Sequence, residues 1–166
     1  MTIRCDAISN ESILHTFPNY GRSGEAQDIS ERLDNILDDF SLSFTVTEHY
    51  EQIEKVLHKA AEEASQDNWD GYGAKRISSA SYEKATRFCK MLPISVPIPD
   101  VCVDPDGMVE LEWYKEPRKV FSVTIESDGT LIFAGLFGFS KIHGMENFGD
   151  EIPKTIFDSI QRIYSS

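Results

Sequence analysis

The chain has 166 residues, 40% of them hydrophobic and 27% charged, with a formal net charge of −12. That length suits one domain with an appended segment, and the composition lies far from the disordered class. No apolar run approaches the roughly 18 residues that span a bilayer, and residues 1–10 lack the basic-then-apolar pattern of a secretory signal. The expectation is therefore a cytoplasmic protein that does not enter a membrane.

The charge is unevenly placed. Between Glu25 and Asp70 stand 13 acidic side chains against Arg32, Lys55 and Lys59, and the remaining charges nearly cancel. Phosphates would repel such a block, so nucleic acid is not an expected partner, whereas a basic protein is. The plainer reading is a solvated helical face that keeps the chain soluble. Cys5, Cys89 and Cys102 have no metal-ligand spacing and cannot all pair with one another, which favours reduced thiols.

In chain order, residues 1–27 show no sustained period and end in Gly21-Arg22-Ser23-Gly24, a linker signature. Asp28 with Glu31 reads as a capping box, and Ile29, Leu33, Ile36, Leu37 and Phe40 follow at helical spacing. A second helix is expected from Thr45, with Glu48 as its capping partner. Its apolar stripe is Val46, Tyr50, Ile53, Leu57, Ala60, Ala61 and Ala64. It should end before Asn68-Trp69-Asp70-Gly71-Tyr72-Gly73, where two glycines favour a tight turn. A third helix begins at Ser78 or Ser79, carries Tyr82, Ala85, Phe88, Cys89 and Leu92 inward, and stops at Pro93. Lys75, Arg76, Lys84, Arg87 and Lys90 make this region basic, and pairing with the acidic second helix accounts for them better than a nucleic-acid patch does.

Val101 to Phe137 reads as four strands joined by turns at Asp106-Gly107, Lys115-Glu116-Pro117-Arg118 and Asp128-Gly129. Val109, Leu111 and Trp113 share one face, as do Phe121, Val123 and Ile125, and then Leu131, Phe133 and Phe137. Gly135, Gly138, Gly144 and Gly149 mark a loop. A last helix runs from about Ile152, with Pro153 at an early position, to Tyr164, striped by Ile156, Ile160 and Ile163. The expected fold is α+β: helices packed on one face of a four-stranded antiparallel meander, closed by a C-terminal helix. Residues 1–44 form an N-terminal arm with a short amphipathic helix, and residues 45–166 a single domain.

Five islands occur in order: Trp69-Asp70-Gly71-Tyr72-Gly73-Ala74, Pro105-Asp106-Gly107, Leu111-Glu112-Trp113, Ala134-Gly135-Leu136-Phe137-Gly138 and His143-Gly144-x-Glu146-x-Phe148. In these the chain resembles a family of small bacterial proteins that carry no assigned activity. The resemblance covers roughly Tyr50 to Tyr164 and implies a fold unit and a bacterial or phage source, without implying a reaction.

Chemistry-bearing residues are few. Trp69, Asp70 and Tyr72 offer two aromatic faces and a carboxylate on a glycine turn, and so are binding candidates, although burial of Trp69 and capping by Asp70 explain them better. Glu110 and Glu112 project from one strand face, with Asp104 and Asp106 nearby, but the pattern of a two-metal nuclease is incomplete. No metal and no cofactor is expected. His143 and Glu146, also binding candidates, sit in the expected loop, which their hydrogen bonds would stitch together; an imidazole base oriented by a carboxylate is the alternative. No nucleophile elbow accompanies them, however, and Ser140 lacks the required context. The leading expectation is a non-enzymatic protein-interaction module of antitoxin, immunity or defence type, able to form a homodimer through an open sheet edge. The alternative is a small hydrolase or metal-dependent enzyme using His143 and Glu146, assisted by Asp70 or Glu112.

Overall fold

The structure, a computed structural model, describes residues 24–165, the side chains at 24–27, 40 and 44 excepted. Residues 21–23 of the linker expected at 21–24, most of the arm over 1–27, and Cys5 therefore lie outside the described residues, while Gly24 opens a helix. The chain divides into two compact units between Ser41 and Leu42.

Helix α1 (Gly24–Glu63) replaces the two helices expected there. Thr45 and Glu48 lie inside it and not at a helix start, while nearby Thr47 Oγ1 donates back to the Ser43 carbonyl at 2.9 Å. At 100° per residue, the stripe over 29–40 and that over 46–64 are roughly 115° out of phase. That phase change is what reads as a break. In the second unit Ile53, Leu57, Ala60 and Ala64 are buried, as their spacing predicts.

Helix α2 (Ser79–Met91) is capped by Ser78, whose hydroxyl accepts from the Ser81 amide at 3.3 Å. It ends at Leu92, before Pro93. Lys90 meets α1, with Nζ 2.8 Å from Glu54; Arg87 reaches Asp150, and Lys75, ahead of the helix, reaches Asp106.

The sheet has five strands, not four, in the order β1 (Asp100–Val103), β2 (Val109–Glu116), β3 (Lys119–Ile125), β4 (Thr130–Phe137) and β5 (Ser140–Asn147), each antiparallel to the next. The glycine-rich stretch expected as a loop is the edge strand β5. It is reached through the two-residue turn Gly138-Phe139, with Gly138 at φ 66°. Its glycine has a packing reason: a Cβ on Gly144 would lie 2.6 Å from Phe133 Cζ, so the ring occupies the space a side chain would fill.

Helix α3 (Lys154–Tyr164) begins one residue after Pro153 and buries Ile156, Ile160 and Ile163. Helices α2 and α3 lie against strands β2 to β4. The inward row of the sheet is apolar and fully buried: Val109, Leu111 and Trp113 face Ile125, Val123 and Phe121, then Leu131 and Phe133. The Trp113 indole donates to the Pro97 carbonyl at 2.9 Å, so its one polar atom is satisfied. Ser81 is the buried polar link. Its hydroxyl donates to the Ile125 carbonyl at 2.6 Å and accepts from the Val109 amide at 2.8 Å, tying α2 to the paired ends of β2 and β3.

Candidate functional site

Trp69, Asp70 and Tyr72 lie in the loop that follows α1. Asn68, at φ 64°, accepts from the Gly73 amide through its side chain. The Asp70 carboxylate accepts from the amides of Tyr72 at 2.8 Å and Ala74 at 3.1 Å. Those two bonds, the Tyr72 amide first, hold its pKa below the ordinary carboxylate value. The Trp69 indole donates to the Lys75 carbonyl at 3.1 Å. Two of the three side chains thus make the loop's own architecture, and Tyr72, 94% exposed, is left open to solvent.

Side chains alternate along a strand, so residues an odd number apart leave opposite faces. His143 pairs with outward Ala134, whereas Glu146 pairs with inward Leu131. The two residues that would make an acid–base dyad in a loop are therefore separated by the sheet itself. Glu112 does share the outward face with His143, in the row Asp100, Glu112, Ser122, Ala134, His143 across the five strands. At strand spacing, three steps apart, they stand about 14 Å from one another, beyond any direct hydrogen bond. Asp70 belongs to the loop beyond α1, and neither it nor Glu146 lines the depression that Glu112 and His143 flank.

That depression, about 390 Å³, lies on the outward face and is floored by Ser122, Ala134 and Val120. It exists because the middle of the row is small: Ser122 and Ala134 leave a gap between longer side chains on β2 and β5. Every outward position of the sheet is half-buried or exposed, including Ile132, Leu136 and Met145. The charges are split across it, with Asp100, Glu110 and Glu112 on β1 and β2, and Lys141 on β5, where the His143 imidazole stands beside it. Cys102, on β1, is outward too. Partial burial, with the nearby carboxylates of Glu110, Glu112 and Asp104, pushes its thiol up to about 11. Cys89, in α2, is pushed up to about 12 by burial alone. Among the described residues no cluster of three or more His, Cys, Asp or Glu side chains is arranged to hold a metal ion. Also among them, no helix is long and apolar enough to cross a membrane.

A second feature lies in the first unit. Ile29, Leu33, Ile36 and Leu37 form one stripe of α1, and each is 54 to 61% exposed. Asp28, Glu31, Asp34, Asp38 and Asp39 flank and oppose it, with Arg32 paired to Asp28 at 3.0 Å. The stripe is legible in the sequence as the apolar side of a short amphipathic helix; its exposure is not. The depression had a faint sequence signal, the small outward residues Ser122 and Ala134 within otherwise regular strands.

No family model matches the chain, and no curated protein and no solved structure matches it.

Proposed function

We propose that the chain is a non-enzymatic protein-interaction module of bacterial or phage origin that works in the cytoplasm. In this reading it binds and neutralises a basic protein, in the manner of an antitoxin or immunity factor. The observation that carries this reading is the exposed stripe Ile29, Leu33, Ile36, Leu37 set among acidic side chains. An amphipathic helix presenting anchors at i, i+4, i+7 and i+8 is the form in which helices enter apolar grooves. Its acidic flanks favour a groove rimmed by Lys and Arg, which also speeds encounter. The dispersal of His143, Glu146 and Asp70 over two sheet faces and the loop after α1 supports the same reading, because acid–base catalysis needs such groups within hydrogen-bond reach.

The test compares the full chain with a variant carrying Leu33→Lys and Leu37→Lys. A partner captured by the former is identified, purified and titrated against both. Two half-exposed leucines contribute about 1–2 kcal/mol each when a groove covers them, so the variant should bind at least about thirtyfold more weakly. Equal affinity for the two proteins would sink the helix as the binding element.

A further inference from the structure

We propose that the open face of the sheet is a two-fold interface with a second copy of this chain, the strands of the two sheets running nearly aligned. This stands apart from the role of the α1 stripe and rests on different residues. The helices occupy the other face, so the outward side of β1 to β5 is left with an apolar middle, Val120, Ala134, Leu136 and Ile132, and charged borders of opposite sign. Sheets pack face to face through such surfaces with strand directions within about 30°.

The charge pattern chooses both the occupant and the axis. Turning a copy about an axis along β3 lays its β1 over β5 and its β2 over β4. Asp100 then faces His143 of the other copy, and Glu112 enters the gap above Ala134 beside Lys141 and His143, twice over by symmetry. The small residues Ser122 and Ala134 supply the recess and Glu112 the projection that fills it. An axis across the strands would instead set Asp100, Glu110 and Glu112 against their own copies, which like-charge repulsion opposes. The surface is thus complementary to itself in one orientation. The face spans about 19 Å across the strands and about 20 Å along them. That is at the small end for protein interfaces, and it points to dissociation in the micromolar range.

The test is sedimentation velocity on the full chain carrying Cys5→Ser, across a concentration series, joined to the rate at which Cys102 is modified. A reversible dimer is expected, and Cys102, lying over Met145 of the other copy, should react more slowly as the dimer fills. Lys141→Glu and Glu112→Lys should each weaken dimerisation about tenfold, and the two together should recover most of the loss, as a coupled charge pair does. Ala134→Arg, at an exposed position, should abolish the dimer while the circular dichroism and melting curve stay those of the parent. A chain that remains monomeric well above the micromolar range overturns the proposal. So does a dimer that ignores all three variants, or one in which the Cys102 rate does not change with concentration: it would then form through the β5 edge or the α1 stripe.

Discussion

The Ser81 hydroxyl offers the sharpest test of how the helices are held to the sheet. Substituting Ala removes a donor to the Ile125 carbonyl and an acceptor for the Val109 amide, both within residues that expose none of their surface. A buried backbone group left without a partner costs about 1–3 kcal/mol, so two such groups give about 2–6 kcal/mol. Ala is the better helix former by about half a kcal/mol, and the cavity left by one oxygen is too small for water to repair both groups. The net destabilisation should be about 2–4 kcal/mol, which for a unit of this size lowers the melting temperature by roughly 7–15 °C. Chemical denaturation gives the free energy, and hydrogen exchange at Val109 gives the local cause. Ser79→Ala, two residues earlier and exposed, serves as the control and should change stability by less than about 0.5 kcal/mol. If Ser81→Ala leaves the denaturation midpoint where it was, the hydroxyl is not the link between α2 and the strands.

Gly144→Val should destabilise by about 1–3 kcal/mol, because the new Cβ meets the Phe133 ring; a melting curve like the parent's would mean that β5 is not held against β4 in this register. At pH 8 Cys89 should resist iodoacetamide until the protein unfolds, while Cys102 should react slowly and accelerate as pH approaches its value of about 11. Rapid labelling of Cys89 in the folded protein would contradict its burial. Asp70 has a folded pKa below its ordinary value, so the stability it adds is complete above that value and is lost as pH falls through the folded one. Asp70→Ala should accordingly flatten the acid limb of a stability-against-pH curve and lower stability at neutral pH; a parallel curve would show that the loop bonds contribute nothing.

What could be read before folding depended on how many positions of an element face the core. Strands β2 and β3 each place three large apolar residues inward, and an Asp-Gly turn precedes β2 and another follows β3, so their period of two stands out. Strand β5 places Ile142, Gly144 and Glu146 inward. One apolar residue in three leaves no alternation to detect, and the glycine that looked like a loop signal answers a ring from the neighbouring strand. The same error carried the site with it. Three residues apart in a loop, His143 and Glu146 can converge; on a strand they cannot. Helix α1 misled through phase, since its two stripes are individually regular and mutually displaced, and no local rule distinguishes a displaced stripe from a new helix.

The two surfaces of the molecule rely on different parts of the same physics, which makes them separable in solution. Attraction between the acidic α1 and a basic partner is a sum over exposed charges of one sign, and salt screens it over about 8–10 Å at physiological strength. The sheet face sets Asp100, Glu110 and Glu112 against Lys141 around an apolar middle, so long-range attraction adds little, and burial of Val120, Ile132 and Leu136 supplies most of the stabilisation. Raising the salt concentration should therefore slow capture of a basic partner markedly while leaving the dimer nearly as it was. A dimer that dissolves in moderate salt would place its stabilisation in the charged borders. The apolar middle would then have to remain wet, and with it would go the reason for small residues at Ser122 and Ala134.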